Sequence, residues 1–278
     1  MSDVFEGKVC IITGSSSGIG LGLAKELLRR GAVVYMSGWR ETNQENLQTT
    51  AELLGKYLQK AFSQELDVRD EAAVAKYIAG IATKAPIDYM FSNAGVGMQM
   101  PFTSVDSTTW EKIFSVDLYG VVYCVQAVVP VMLKQGHGHI VNTASVAGIV
   151  PLPYQTVYCA AKYAVVGFSE SLRYELEPYN IKVTAVCPAA VATQIFQRDI
   201  DYKVHEELAM PEEAITIDQA ALEILEGVEA GRGIFPITDF ARAIYENIRI
   251  DPAQNDAVMR WMAEQRRQQF IAQGLLDH

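Results

Sequence analysis

The sequence predicts an α/β protein with a single doubly wound parallel sheet. Short apolar, β-branched runs alternate with longer helical patterns from the start of the chain, with a strand expected at 9–12, a helix at 21–30 and a strand at 33–36. Continuous apolar strands that are separated by helices are typical of parallel sheets covered on both faces. Right-handed crossovers between parallel strands give the doubly wound arrangement. In this arrangement, ligands are expected at the carboxyl ends of the strands.

The same alternation predicts the later elements in order. Further helices are expected at 44–58, 71–83, 107–134, 156–177 and 218–229, and further strands at 62–66, 87–91, 140–143, 182–186 and 234–237. The mixed, polar stretch 188–216 contains Pro188 and Pro211 and is expected to form a loop or a small helical flap.

We expect one domain at 1–238 and a helical C-terminal extension at 239–278 that packs on the same domain. The extension has an apolar stripe made by Val258, Trp261, Met262 and Phe270. A stripe of this kind is typical of a helix docked on its own domain, and an arm that binds a partner is the alternative.

The composition is that of a soluble globular protein and limits the classes of partner. Half of the 278 residues are apolar and a fifth are charged. The net charge of −10, from 23 basic and 33 acidic residues, argues against nucleic acid or an anionic membrane as a partner. The longest apolar stretch, 121–133, is interrupted by Gln126 and Pro130 and is too short to span a bilayer. Since no basic leader precedes the first apolar run, a cytoplasmic location is expected.

Cysteine and histidine give no metal or redox site in the sequence. The four cysteines are scattered through apolar stretches without a C-x-x-C pair, which predicts buried, reduced thiols: Cys10, Cys124, Cys159 and Cys187. His137 and His139 flank Gly138 and are interpreted as turn residues, because a metal site needs more ligands at suitable spacing. No metal is expected.

A glycine-rich turn follows the first predicted strand directly and leads into a helix. It reads Thr13-Gly14-Ser15-Ser16-Ser17-Gly18-Ile19-Gly20. Glycines let the backbone turn sharply and approach a pyrophosphate, whose charge is attracted by the free N–H groups at the start of a helix. A glycine-rich turn without a ligand is the alternative. The candidate phosphate-binding residues are Gly14, Ser16, Ser17, Gly18, Ile19 and Gly20.

The spacing T-G-x-x-x-G-x-G resembles the glycine turn of the short-chain dehydrogenase/reductase family, and the resemblance extends over residues 7 to about 237. Asn93, Ala94 and Gly95 follow the fourth predicted strand and are similar to the family's N-N-A-G segment, which borders the cofactor. Asp67 and Val68 follow the third strand and resemble the family's pair on the adenine side. The resemblance implies a Rossmann-like fold and an NAD(P)-dependent oxidoreductase.

Ser145, Tyr158 and Lys162 occupy the positions of the family's catalytic Ser and Y-x-x-x-K. The resemblance implies that Tyr158 exchanges a proton with the substrate oxygen, that Ser145 hydrogen-bonds this oxygen, and that Lys162 also holds the nicotinamide ribose. It further implies a small-molecule carbonyl or alcohol substrate. The helices at 107–134 and 156–177 correspond to those that pair subunits in the family, so a homodimer or homotetramer is expected.

The spacing of Tyr158 and Lys162 has a chemical reason. Residues four apart lie on one face of a helix, which places the ammonium beside the phenol. A free phenol has a pKa of about 10, which is too high for proton exchange near neutrality. A positive charge ~5 Å away, at an effective dielectric constant of ~20, favours the phenolate by ~3 kcal/mol, or roughly two pKa units. The lysine is therefore expected to lower the pKa of the tyrosine into a useful range.

Two positions depart from the family pattern. Asp117 stands where the family has an Asn that holds a water connected to the catalytic lysine. An ionised Asp accepts but does not donate hydrogen bonds, and its charge offsets part of the field of Lys162, so a more alkaline optimum for oxidation or a lower rate is expected. Ala189 stands where the family commonly has Gly and narrows the permitted backbone angles. The resemblance nevertheless implies contacts with the nicotinamide end of the cofactor from Pro188, Val191 and Thr193.

The end of the second predicted strand bears on the choice between NADP and NAD. An acidic residue there would bind the ribose hydroxyls of NAD, whereas an arginine suits the 2′-phosphate of NADP. Gly38 occupies the expected acidic position and Arg40 follows it, which favours NADP, although Glu41 complicates this choice.

The segments after the fourth, fifth and sixth strands are expected to line the substrate pocket. Their apolar side chains suit an apolar or bulky ketone or alcohol, and packing within the loops is their alternative role: Met98, Met100, Phe102, Ile149, Leu152, Tyr154, Ile195 and Phe196. Two other functions stay open: a cofactor-binding regulator or degenerate relative with little turnover, suggested by Asp117 and Ala189, and a scaffold that assembles through its long helices.

Overall fold

Seven parallel strands form one sheet in the order β3-β2-β1-β4-β5-β6-β7 in the computed structural model, which describes residues 3–38, 44–201, 203, 205 and 208–276. The strands are β1 (Val9–Thr13), β2 (Val33–Gly38), β3 (Ala61–Glu65), β4 (Tyr89–Ser92), β5 (Gly138–Thr143), β6 (Ile181–Pro188) and β7 (Ile234–Ile237). The predicted fold class is confirmed. The chain changes direction across the sheet between β1 and β4, and ligands bind at such a switch point.

Helices cover both faces of the sheet. On one face lie α1 (Gly18–Arg29), α2 (Gln44–Lys56) and α7 (Ile217–Glu229), and on the other lie α3 (Glu71–Ala82), α5 (Gly120–Gln135) and α6 (Thr156–Leu176). Successive side chains of a strand point to opposite faces, so in β1 Ile11 joins one apolar core and Ile12 joins the other. All four cysteines are free and buried, which confirms the prediction for them.

The predicted long helix at 107–134 is interrupted. Helix α4 (Ser107–Phe114) passes into a wide π-type turn at Ser115–Tyr119 before α5 begins. π-type turns are rare inside helices and are frequent at functional sites. This one carries Asp117, which is fully buried.

The helical stretch Ser107–Gln135 is long and apolar enough, by length and composition alone, to cross a membrane. The apolar run at 121–133, which is too short to span a bilayer, lies inside this stretch. Val121, Val125 and Met132 are buried in the core on the sheet, so this stretch is a core helix of the α/β fold.

The chain ends in two helices, α8 (Asp239–Ile250) and α9 (Pro252–Ala272). The predicted apolar stripe of α9 is half wrong. Val258 is 36% and Trp261 64% exposed, whereas Phe270 is buried and Met262 packs against the core. The face of α9 that points inward carries Met259, Met262, Arg266 and Phe270, which are spaced three or four residues apart. A search for apolar residues alone does not find this face, because Arg266 is charged.

The interpretation of both histidines as turn residues is wrong for His139. This residue lies in β5, opposite Tyr89 and Lys182 in the neighbouring strands, and is 5% exposed. Its Nε2 lies 2.9 Å from the Thr184 hydroxyl. Burial, with a smaller contribution from Lys182, lowers the pKa of His139 to about 3. Within the described part of the chain, no group of three or more His, Cys, Asp or Glu is placed to hold a metal ion.

Candidate active site

The glycine turn joins β1 to α1 and has no room for side chains at two of its positions. Gly14 has φ +63°, and a Cβ atom there would lie 2.7 Å from the Cα of Ala94. A Cβ on Gly20 would meet the Gly14 carbonyl and the Asn93 side chain. Ser17 is the N-cap of α1 and makes no capping hydrogen bond with its side chain. The turn therefore presents backbone N–H groups rather than side chains to a ligand at the start of the helix.

Asn93 fixes this turn to the carboxyl ends of three strands. Its Nδ2 donates to the carbonyls of Thr13 (3.0 Å) and Gly14 (3.3 Å), and its Oδ1 accepts from the Thr143 hydroxyl (3.3 Å). The Thr13 hydroxyl accepts from the backbone N–H groups of Asn93 and Ala94. Neither Thr13 nor Thr143 was among the predicted site residues. Thr13 opens the T-G-x-x-x-G-x-G pattern, which could have indicated it, whereas only its position at a strand end could have indicated Thr143.

On the adenine side, Asp67 is held by a bidentate pair with the guanidinium of Arg69, with a shortest N–O distance of 2.6 Å. Val68 is buried. A Cβ on Gly38 would lie 2.5 Å from the Ser16 hydroxyl, so an acidic side chain at position 38 would displace Ser16. Arg40 lies outside the described residues.

Ser145 and Tyr158 lie on either side of the loop between β5 and α6. Ser145 is the N-cap of a short turn, and its hydroxyl accepts from the Ala147 N–H (3.1 Å) and donates to the Pro188 carbonyl (3.4 Å). Tyr158 lies in the first turn of α6. The Nζ of Lys162, one turn further, lies 5.5 Å from the centre of the Tyr158 ring. The structure thus brings the predicted tyrosine and lysine together.

Lys162 is paired directly with Asp117. The Nζ–Oδ1 distance is 2.9 Å, and the two side chains are 3% and 0% exposed. Lys162 also donates to the Thr143 carbonyl at 3.2 Å, and the Val96 N–H donates to the Asp117 carboxylate at 3.3 Å. A Cβ on Gly95 would lie 2.8 Å from Asp117 Oδ1, so the close approach needs glycine there. From the sequence, the charge of Asp117 was expected to offset part of the field of Lys162. In the structure the two side chains form a direct ion pair.

The ion pair changes the electrostatics expected for Tyr158. Burial raises the pKa of Tyr158, the charge of Lys162 and a hydrogen bond from Ser145 lower it, and the charge of Asp117 raises it. Lys162 thus lowers this pKa as expected, but burial has the larger effect and the net direction is upward, so the expectation that the pKa of Tyr158 falls into a useful range is wrong. For Lys162, burial lowers the pKa, but the Asp117 carboxylate raises it. The net direction is upward, and the ammonium form is favoured. Burial raises the pKa of Asp117 against the opposing effect of Lys162.

The segment after β6 returns to the glycine turn. Val191 is buried and pairs with Ile215 in a parallel bridge. The Thr193 methyl group would lie 3.2 Å from a Cβ on Gly18, so Thr193 stands over the turn. Ala189 lies outside the left-handed region of backbone angles, which explains why alanine is tolerated where the family has glycine.

The predicted apolar wall divides into two parts. Met98 belongs to a small apolar cluster with Ile113, Val157 and Ala161, against which Met100, Tyr158 and Ile200 pack. Ile149 instead belongs to the main core, and Phe102 is 60% exposed. Ile200 comes from the segment after β6, which an ion pair between Asp201 and Lys112 attaches to α4.

The sheet topology, with a glycine turn at its switch point, is that of a doubly wound α/β protein of the dinucleotide-binding type. The family model for short chain dehydrogenases matches residues 8–203, and the chain belongs to this family.

Known proteins agree with this assignment. The chain is 36% identical over 194 residues to the putative oxidoreductase SadH of Mycobacterium tuberculosis, covering 69% of each chain. It is 34% identical over 194 residues to the 3-oxoacyl-[acyl-carrier-protein] reductase FabG of Thermotoga maritima, covering 69% of this chain and 78% of that protein. A solved structure of a short chain dehydrogenase/reductase from Burkholderia phymatum in complex with NAD has a TM-score of 0.76 and 25% identity, covering 90% of this chain and 96% of that one. The chain is an enzyme of the dehydrogenase/reductase type.

Proposed function

We propose that this enzyme moves a hydride between a nicotinamide dinucleotide and the carbonyl or secondary alcohol carbon of an apolar or bulky small molecule. The observation that carries the proposal is the role of one short segment, Asn93 to Gly95. At one end Asn93 bonds the glycine turn, and at the other a Cβ on Gly95 would lie 3.5 Å from Lys162 Nζ. The dinucleotide turn and the catalytic pair are thereby held in a fixed relation.

The residues present fit a dinucleotide. The backbone around Gly14 and Gly20 is packed so closely that only glycine fits, and this also lets a pyrophosphate approach the N–H groups at the start of α1. Gly18, Ile19, Ser16 and Ser17 would contact the phosphates, Asp67 and Val68 the adenine end, and Pro188, Val191 and Thr193 the nicotinamide end. When bound, the nicotinamide supplies or accepts the hydride.

The chain's own residues position the substrate oxygen and exchange its proton. The Ala147 N–H holds the Ser145 hydroxyl in place, and on substrate binding its proton would turn from the Pro188 carbonyl, 3.4 Å away, to the substrate oxygen. In the direction of reduction, the Tyr158 hydroxyl donates its proton to this oxygen, and in oxidation the phenolate accepts it. Lys162 stabilises the phenolate with its positive charge.

Asp117 keeps Lys162 charged and in place. Burial of the ammonium opposes its charge, and the carboxylate at 2.9 Å reverses this effect. The same carboxylate disfavours the Tyr158 phenolate. We therefore expect the enzyme to favour reduction near neutrality and to oxidise alcohols best at alkaline pH.

We favour NADP over NAD as the cofactor. Ser16 occupies the space that an acidic side chain at position 38 would need, which disfavours the carboxylate typical of NAD sites. The experiment is a comparison of kcat/KM with NADPH and NADH in the wild type and in Gly38→Asp. We expect a preference for NADPH that the variant reduces by about tenfold or more. An unchanged preference would count against this choice.

The apolar cluster around Tyr158 supports a bulky, apolar substrate. We further propose a cytoplasmic homodimer or homotetramer. The exposed aromatic side chains of Tyr119, at the end of the π-type turn, and Tyr163, on α6, give a candidate contact surface.

The central experiment compares wild type with Tyr158→Phe on a panel of ketones and alcohols with both cofactors. We expect the variant to bind NADPH within about twofold of wild type and to lose at least about a hundredfold in kcat. Turnover that survives in the variant would contradict the role of Tyr158. A wild type that binds the cofactor but turns over no substrate would favour a cofactor-binding regulator instead.

A further inference from the structure

The loop between β5 and α6 ends in a strained residue. Tyr154 has φ +61°, in the left-handed region that residues with large side chains rarely adopt. A conformation of this kind is energetically unfavourable and persists only where the surroundings fix it. Tyr158 follows four residues later, in the first turn of α6. Whatever holds Tyr154 therefore also sets the entry into the catalytic helix.

Part of the fixation comes from the catalytic domain itself. The Met100 N–H donates to the Tyr154 carbonyl at 2.9 Å. The Leu152 N–H donates to the Cys159 sulfur at 3.3 Å. Met100 packs against the same small apolar cluster as Tyr158, so the turn and the substrate wall share a contact.

The rest comes from α9, which lies outside the matched family region of residues 8–203. The Arg266 guanidinium donates to the Pro153 carbonyl. The Phe270 ring is 5% exposed and lies with its centre 5.1 Å from that of the Tyr154 ring, tilted by 45°. Two consecutive residues of the turn are thus held by two side chains on one face of α9.

Arg266 is unusual among the arginines of this acidic chain. Burial lowers the pKa of its guanidinium. None of the ion pairs among the described residues includes it, whereas its neighbour Arg267 pairs with Glu264 at 3.7 Å. Since taking a charge out of water without a counter-ion is unfavourable, the position of Arg266 is not explained by charge pairing. The hydrogen bond from Arg266 to the Pro153 carbonyl explains why the Arg266 side chain lies at this position.

We propose that Arg266 and Phe270 are positioning residues that hold the Pro153–Tyr154 turn and, through Met100 and the start of α6, determine how bulky a substrate the enzyme accepts. The inference rests on the proposed function. It adds that the wall of the substrate site depends on α9, which lies beyond the matched family region of residues 8–203. A wall displaced by even about 1 Å changes reaction rates strongly.

The experiment uses the full-length variants Arg266→Gln, Arg266→Lys and Phe270→Leu. The matched control is Arg267→Gln, because the half-exposed Arg267 on the same helix pairs with Glu264 and has no hydrogen bond to the Pro153–Tyr154 turn. Hydrogen exchange of the Met100 amide reports on the turn without any need for turnover. We expect this exchange to be about tenfold faster in Arg266→Gln and Phe270→Leu, unchanged in the control, and intermediate in Arg266→Lys.

Kinetics with two probe ketones then test specificity. We expect kcat/KM for the bulky 1-phenyl-1-propanone to fall by about tenfold or more, mainly through KM, and that for 2-butanone to fall by less than about threefold. The affinity for NADPH should stay within about twofold of wild type.

Variants that match Arg267→Gln in exchange and in both kinetic ratios would overturn the proposal. Faster exchange along the whole chain, or equal losses for both ketones and for the cofactor, would do the same, because they indicate a role in stability alone. A wild type that turned over neither ketone would contradict the proposed function, and exchange at Met100 would still decide whether α9 holds the turn.

Discussion

Two pairs of an aspartate with a cationic side chain flank the proposed cofactor site, and they differ mainly in their exposure. In the first, Asp117 and Lys162 lie 2.9 Å apart with side chains 0% and 3% exposed. In the second, Asp67 and Arg69 lie 2.6 Å apart with side chains 28% and 33% exposed. The distances are similar, so the difference in energy between the pairs comes from the surrounding water.

Water decides what each pair can do. Near the surface, solvent screens the charges, and the pair of Asp67 and Arg69 contributes little to stability. In the interior, removing one partner leaves an unpaired charge in a medium that solvates it poorly. The pair of Asp117 and Lys162 can therefore shift the proton affinity of a neighbouring phenol, which the surface pair cannot.

The largest effect is expected for Lys162→Met, which leaves the Asp117 carboxylate buried without a partner. We expect the free energy of unfolding at pH 8 to fall by about 3–5 kcal/mol and turnover to be lost. In the variant, burial raises the pKa of Asp117 above its value in the unfolded chain, so the folded state binds the additional proton. The deficit relative to wild type should therefore shrink from pH 8 to pH 5, as measured by urea unfolding.

The double variant Lys162→Met/Asp117→Asn is the control for this prediction. Since it removes both charges, it should recover more than half of the lost stability but no activity. A double variant as unstable as the single one would show that packing, rather than the unpaired charge, causes the loss.

A third buried group extends the comparison, and its effect is somewhat smaller. The pKa of His139 is lowered to about 3 because burial disfavours its charged form. In the unfolded chain it titrates near 6.5, so the unfolded state binds the proton first and stability falls as the pH drops below about 6.5. Between pH 7 and pH 4 this loss amounts to about 3 kcal/mol. Urea unfolding should show it in wild type and a shallower slope in His139→Gln, and parallel slopes would contradict the prediction.

Asp117→Asn sharpens the comparison at the level of catalysis. The Asp117 charge is one of the causes that raise the pKa of Tyr158, so its removal should move the rise of alcohol oxidation with pH to lower pH. We expect a shift of about one pH unit in the profile of kcat/KM. Glu111→Gln, a charge change on the exposed part of α4, is the control and should not shift the profile. Superimposable profiles for wild type and Asp117→Asn would contradict the role given to this carboxylate.

The fold and the pairing of Tyr158 with Lys162 could be predicted because both depend on local spacing. Alternating strand and helix patterns fixed the order of elements, and residues four apart on a helix lie together wherever that helix packs. The glycine turn was predictable for the same reason, since its backbone angles depend on a few adjacent residues.

Contacts between distant segments were not predictable in this way. Asp117 reaches Lys162 through the π-type turn that interrupts the expected long helix, and a regular helical pattern does not predict that turn. The direction of the Tyr158 pKa shift depended on this contact and on burial, neither of which is visible in the spacing. The inward face of α9 was hidden because it includes Arg266.

The smallest effect is expected for Asp67→Asn, which separates stability from binding. Water screens the pair of Asp67 and Arg69, so the free energy of unfolding should change by less than about 1 kcal/mol. If Asp67 contacts the adenine end of the cofactor, the affinity for NADPH should fall several-fold, to be measured by titration of cofactor fluorescence. A loss of stability as large as that of Lys162→Met would show that exposure does not distinguish the two pairs. If neither the free energy of unfolding nor the affinity for NADPH changes, Asp67 does not belong to the cofactor site. Its role is then limited to the ion pair with Arg69.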